Sequence, residues 1–328
     1  MGTLVIGGGG FVGLNVVEHL LAQGRAVTLF DIAPPPDAAL TALQSLPGDL
    51  RLVTGDVREA DTVAQAIGGD VDTMVYGAAV TAGMERDREA PEATMGVNLD
   101  GFLGALRAAR DAGIRRVINL SSAGAYGAAA FRGRGPLSEQ DEVADPQSIY
   151  SISKFASERV GDRMAEVWGL DVVSVRLSGV FGRWERRTSV RDTPSPHFQI
   201  VEALKAGKPA IVERLDERDW IYAPDVARAV DALLNTSVLS HRLYNVSTGQ
   251  TWSVLAWGEA MAARFTGGVC RLAGPEEEAN IMLHAPSDRR PLCVEKIRKD
   301  VTFPVCYDID QSVEDYHGWL RLEGADYR

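Results

Sequence analysis

The residues of this chain best suited to chemistry are Tyr150 and Lys154, in the run Tyr-Ser-Ile-Ser-Lys. On a helix, residues four apart share a face, so the phenol and the ammonium can converge on one spot. A positive charge nearby lowers a phenol's pKa from about 10 toward neutrality, where it can act as a general base. Lysine is an informative choice here. Of the 34 basic residues only Lys154, Lys205, Lys208, Lys296 and Lys299 are lysines, and arginine would deliver its charge in a forked geometry. A second hydroxyl comes from Leu120-Ser121-Ser122, which precedes Ala-Gly-Ala-Tyr126-Gly127. Ligand sites of open parallel sheets form at the carboxyl ends of strands, where the Ser122 hydroxyl can bond a reacting alcohol oxygen. Ser122, Tyr150 and Lys154 together suit proton transfer at a secondary alcohol. Each alone has a plainer reading, since Y-x-x-x-K occurs on solvated helices and Ser-Ser is common turn chemistry.

The amino terminus offers a place for a redox partner. Val-Ile-Gly-Gly-Gly-Gly-Phe-Val-Gly puts Gly7, Gly10 and Gly13 between a predicted strand and a predicted helix. Gly7 makes the tight turn, Gly10 lets backbone close on a phosphate, and Gly13 lets helix and strand pack. Phe11 and Val12 complete the residues expected against the cofactor. Asp31 closes the second strand about twenty residues on, where a carboxylate accepts both ribose hydroxyls of NAD and repels the 2′-phosphate of NADP. Arg25 lies on the wrong side of that strand to bind the phosphate. NAD is therefore the expected cofactor.

These groups need a scaffold that brings strand ends together. Short β-branched runs alternate with helical patterns through the first half of the chain, as in βαβ units with a parallel sheet. Strands are predicted at 3–6, 26–30, 51–54, 71–76, 117–120 and 172–177. Helices are predicted at 11–23, 61–67, 93–112 and 147–168. After Gly182 the rhythm breaks. The stretch from Arg183 to Pro196 reads as a loop, followed by helices at 198–205, 223–234 and 254–265 and strands at 210–213 and 243–246. The expected division is a nucleotide-binding lobe over residues 1–178 and a mainly substrate-binding lobe over 179–328. That boundary is soft, and the two parts can interleave.

In this order, the glycine turn, acidic strand end, serine and Tyr/Lys pair resemble the extended short-chain dehydrogenase/reductases, the NAD-dependent epimerase/dehydratase group. The resemblance covers nearly the whole chain. It implies an α/β fold, a Rossmann-type doubly wound parallel sheet with a smaller, mostly C-terminal substrate-binding lobe. It also implies catalysis by Ser122, Tyr150 and Lys154, the last two also touching the cofactor. Further cofactor contacts are implied at Asp56 and Val57, at Gly77, Ala78 and Ala79, and at Asn98, which supports the site from its helix. Arg176 to Gly182 resembles the strand and turn after the catalytic helix. Arg218-Asp219-Trp220-Ile-Tyr222 with Asp225 resembles the family's R-D-x-x-Y-x-x-D stretch, whose arginine often meets a substrate phosphate. Asp288-Arg289-Arg290-Pro291 resembles a further stretch near the substrate end.

The pattern also departs from the family. Gly179 stands where the epimerases carry an asparagine against the substrate diphosphate, and Arg183 replaces their proline. Ala123-Gly124 replaces the acidic pair with which dehydratases eliminate water, so dehydration is disfavoured. Arg183, Arg186, Arg187 and Arg191 cluster in a chain of net charge -11. Arg183, Arg186 and Arg218 are read as holding an anionic substrate through bidentate contacts, while His197 is read as structural.

The expected function is NAD-dependent hydride transfer at a secondary alcohol of a sugar or sugar-nucleotide-like, anionic substrate. Two alternatives are a simple NAD+ dehydrogenase of a small sugar acid or hydroxy acid, and a non-catalytic NAD-binding regulator. The acidic balance argues against nucleic acid as a partner, and no apolar run is long enough to span a membrane. Cys270, Cys293 and Cys306 suggest neither a disulfide framework nor a metal site. A cytoplasmic enzyme with a small-molecule substrate is expected. The resemblance adds a homodimer packed through the helices near 93–112 and 147–168.

Overall fold

A computed structural model describes residues 2–140, 142–302 and 305–322. Seven parallel strands form the central sheet: β1 (Gly2–Ile6), β2 (Ala26–Asp31), β3 (Leu50–Thr54), β4 (Val71–Tyr76), β5 (Arg116–Ser122), β6 (Val172–Leu177) and β7 (Leu243–Val246). Their spatial order is β7-β6-β5-β4-β1-β2-β3. The direction of winding reverses between β1 and β4, which opens a crevice at the carboxyl ends of those strands. β7 pairs with β6 from Leu243↔Ser174 to Val246↔Leu177, so the second half of the chain contributes a strand to the main sheet.

Alternation along the strands explains the layering. Val5, Leu29, Val75, Ile118 and Val175 face one side, packing on helices α1 (Phe11–Ala22) and α4 (Ala223–Asn235). Leu4, Ile6, Met74, Tyr76 and Val117 face the other, against helix α2 (Gly101–Asp111) and its neighbours. Side chains alternate with period two, and a sheet covered on both faces favours the near-continuous Val/Ile/Leu runs seen here. Each such side chain, fully buried, contributes about 1.5–3 kcal/mol.

Helix α3 (Ile149–Trp168) carries Tyr150 in its first turn and ends at Gly169, whose φ of 70° closes the helix in the left-handed region. Its start is set by a capping box: the Ser148 hydroxyl accepts from Ser151 N, and Ser148 N donates to Ser151 Oγ at 2.9 Å. The helix therefore begins two residues later than the hydrophobic pattern predicts. The helix expected over 93–112 is interrupted. Pro91–Met95 is helical, Gly96–Asp100 forms a π-turn, and regular α-helix resumes at Gly101. Hydrophobic spacing does not distinguish the one extra residue of a π-turn from an ordinary helical turn.

Candidate active site

The carboxyl ends of β1, β2, β4, β5 and β6 border a cavity of about 1080 Å³. At one end lies the glycine turn. Gly7 has φ +76°, and a Cβ there would come within 2.5 Å of Ala78 N, so the turn lies against the Gly77-Ala78-Ala79 wall. A Cβ on Gly13 would sit 2.1 Å from Gly7 O, which shows how closely α1 approaches β1. No side chain caps α1 at Gly10 and its first turn holds no acidic residue, leaving its N–H groups for an anion. Asp31 accepts from Gly9 N at 2.9 Å and from Ile32 N at 2.8 Å. Burial pushes its pKa up, partly opposed by these hydrogen bonds and by Arg186. This cradle fits a dinucleotide with its diphosphate at α1 and a ribose at Asp31. Phe11, Val12, Asp56 and Val57 line the same cavity. Arg58 clasps Asp56 and holds its pKa down.

Ser122, Tyr150 and Lys154 face the cavity from β5 and α3. Lys154 Nζ donates to Leu120 O at 2.8 Å and lies 5.9 Å from the centre of the Tyr150 ring. Burial draws its pKa down to about 8, with Glu158 one turn further along pulling the other way. Burial raises the pKa of the Tyr150 phenol, opposed by the neighbouring Ser122 hydroxyl, the Arg191 charge and the Thr81 hydroxyl. Desolvation of the phenol thus outweighs the lowering expected of a positive charge nearby. Gly124 lies between the two hydroxyl residues, its Cβ position 3.3 Å from Ser122 Oγ and 3.7 Å from Tyr150 Cε1. An acidic side chain there would have little room.

Asn98 does not reach the cavity. It sits in the π-turn, buried, accepting from Val80 N at 2.8 Å and donating to Val80 O at 3.1 Å and Ser153 Oγ at 2.9 Å. It therefore ties α3 to the wall beside Thr81 and is not positioned to touch a cofactor.

The arginines part ways. Arg183, expected at the substrate, points away from the cavity. Its guanidinium grips Asp315 of the C-terminal helix Ile309–Leu322, with Glu18 3.7 Å away. Arg186 lies at the cofactor end, donating to Gly9 O at 2.8 Å. Arg191, left unassigned by the sequence, packs 5.2 Å from the Phe11 ring and pairs with buried Glu185 at 3.0 Å. Arg218 does line the cavity, buried and paired with Asp216 at 2.9 Å. Arg289 joins it, bonding Asp219 at 2.6 Å and Ser178 at 2.7 Å. Burial lowers the pKa of Arg218, and the nearby Arg289 and Arg214 charges lower it further, against Asp216.

Gly179 is explained by Trp220. A Cβ at 179 would lie 2.4 Å from the indole, so the fully buried ring takes the space of the asparagine found in family epimerases. Among the described residues no group of His, Cys, Asp and Glu could hold a metal, and no helix is long and apolar enough to cross a membrane.

A family model described as NAD dependent epimerase/dehydratase family matches residues 3–247. An Escherichia coli O111:H- protein, the uncharacterized 37.6 kDa protein in the cld 5′ region, is 26% identical over 256 residues, 76% of this chain and 74% of that protein. UDP-glucuronate 4-epimerase 1 of Arabidopsis thaliana is 27% identical over 246 residues, 72% of this chain. That alignment spans only 55% of the plant protein, about half its length. The crystal structure of Thermus thermophilus UDP-glucose 4-epimerase complex with NAD aligns with a TM-score of 0.73 at 25% identity, covering 97% of this chain and 99% of that one.

Proposed function

The chain belongs to the NAD dependent epimerase/dehydratase family, and on that premise we propose that it inverts a secondary alcohol of an anionic, nucleotide-linked sugar by reversible oxidation. The observation that carries this reading is the convergence of Ser122, Tyr150 and Lys154 with the glycine turn and Asp31 on one cavity. NAD, when bound, would supply the hydride acceptor for the oxidation and, once reduced, the hydride that restores the alcohol. Tyr150 Oη takes the hydroxyl proton as the carbon is oxidised, and Ser122 bonds the same oxygen. Lys154 Nζ, held at Leu120 O, places an ammonium near the phenol ring, a charge that favours the phenolate against its burial. A ketone that stays bound and turns over presents its other face, and Tyr150 returns the proton to the inverted alcohol. Ala123-Gly124 supplies no acid or base for eliminating water.

Arg191, Arg218 and Arg289 support an anionic substrate. Guanidinium groups held by carboxylates present their remaining donors in fixed directions, suited to phosphate or carboxylate. The UDP-glucuronate and UDP-glucose epimerases among the relatives and structural neighbours make nucleotide sugars and nucleotide uronates the first substrates to test. The decisive assay incubates the protein with NAD and UDP-glucuronate or UDP-glucose, separates products by anion-exchange chromatography and follows nicotinamide absorbance. An epimer mixture without net NADH is expected. Steady NADH accumulation would make it a dehydrogenase, and no conversion of any nucleotide sugar or uronate would overturn the reading.

A further inference from the structure

Residues 183–193 line the cavity wall between α1 and the segment after β4 and are fastened at both ends. On the α1 side, Asn15 Nδ2 donates to Arg183 O at 2.9 Å and Trp184 Nε1 to Glu18 Oε2 at 2.7 Å. On the other, Thr81 N donates to Val190 O at 2.7 Å, and Gly83 N to Asp192 Oδ2 at 2.7 Å. Arg86 closes this side through Asp192 and Ser189 O. Between the anchors, Arg186 reaches down to the glycine turn, its Nη2 2.8 Å from Gly9 O, and its charge acts on Asp31. Gly9 N is in turn bonded to Asp31. The guanidinium, the glycine turn and the ribose-binding carboxylate thus form one cluster on the cavity wall.

We propose that Arg186 is a cofactor residue: carried by this strap, it clasps the adenosine-diphosphate half of NAD against the glycine turn and Asp31. The inference rests on the family reading for the identity of the dinucleotide, and its contacts come from this chain alone. A diphosphate at the N-terminus of α1 and a ribose at Asp31 both lie beside Gly9, within reach of a guanidinium already bonded to that residue. Charge-assisted bonds from arginine to a diphosphate are stronger than neutral ones and are often bidentate.

The test compares wild type, Arg186→Ala, Arg186→Lys and Arg187→Ala. Arg187 lies on the same strap but pairs with Glu202 at the surface, so its variant controls for strap folding. Each protein is stripped of nucleotide and titrated with NAD and with ADP-ribose, and NAD is measured after gel filtration of the loaded protein. Arg186→Ala is expected to raise both dissociation constants by roughly tenfold or more and to lose NAD on the column, with Arg186→Lys intermediate. Wild type and Arg187→Ala keep their NAD. UDP-glucuronate, titrated with NAD saturating, should bind wild type and Arg186→Ala alike. NAD affinity unchanged in Arg186→Ala would overturn the proposal, as would a loss confined to UDP-glucuronate. If wild type converts no nucleotide sugar while Arg186→Ala still loses NAD, the functional reading fails and the assignment of Arg186 stands.

Discussion

At the cofactor end of the cleft the groups on offer are mostly backbone: the turn from Gly7 to Gly10, the open N–H groups of α1 and a strand-end carboxylate. At the other end they are guanidinium groups, Arg218 on Asp216 and Arg289 on Asp219, each held by a buried carboxylate. A backbone site needs glycine where atoms come close, so substitution there is punished by sterics. A site of paired charges tolerates new shapes but leaves a buried charge exposed when one partner goes. One end is constrained by geometry, the other by charge balance.

The sharpest test lies where the two ends meet. Tyr150→Phe should lower turnover by roughly 10²–10⁴-fold while NAD and UDP-glucuronate bind within about threefold of wild type, as steady-state kinetics and titration would show. Undiminished turnover would mean that another group moves the proton. Gly13→Ala tests the geometric end. With Gly7 O 2.1 Å from the new Cβ, it should cost about 1–3 kcal/mol in denaturant unfolding and weaken NAD by an order of magnitude, because α1 must move. Normal NAD affinity would show that the turn has slack.

Gly179→Asn asks whether the family's asparagine can return. With Trp220 in that space, it should lower stability by about 1–3 kcal/mol with no gain in UDP affinity. Adding Trp220→Ala should give a cost smaller than the sum of the two single changes. A stable single variant that binds UDP more tightly would refute the steric account. Behind this wall, His197 stacks on Phe181 at 4.1 Å among Trp220, Trp252 and Trp257, with both ring nitrogens lacking hydrogen-bond partners. Burial holds its pKa well below 6.5. The unfolded chain takes up the proton that the folded one refuses, so stability should fall as pH drops below about 6.5, by up to about 1.4 kcal/mol per unit. His197→Phe should flatten that part of the profile, and an unchanged slope would place the titration elsewhere. Arg183→Gln should have the smallest functional effect: UDP-glucuronate affinity unchanged, with a melting temperature a few degrees lower from loss of the Asp315 pairing.

Much of this could be read before the fold was known. The glycine turn, Asp31, the serine at the end of β5 and the Tyr/Lys pair all sit within single strand–turn–helix units, where spacing along the chain is nearly spacing in space. Short β-branched runs set between helical patterns likewise made the six N-terminal strands legible. Asn98, expected to support the site from its helix and to touch the cofactor, holds the wall at Val80 and Ser153 without lining the cavity, from a π-turn that the hydrophobic pattern does not reveal. The raised pKa of Tyr150 was missed because desolvation depends on everything packed around the ring.

The sequence by itself determined the parallel sheet, the glycine turn after β1 and the four-residue spacing that puts Tyr150 and Lys154 on one helix face, because local periodicity and backbone sterics dictate them. Tertiary structure alone decided which arginine of the loop after Gly182 faces the cleft, which is tied to Asp315 and which reaches Gly9. It also decided that Trp220 takes the place of an absent asparagine and that β7 completes the sheet. Those outcomes depend on partners distant in sequence, such as Arg183 with Asp315 or Arg289 with Asp219. Charge and shape choose such partners only once the chain has brought them together.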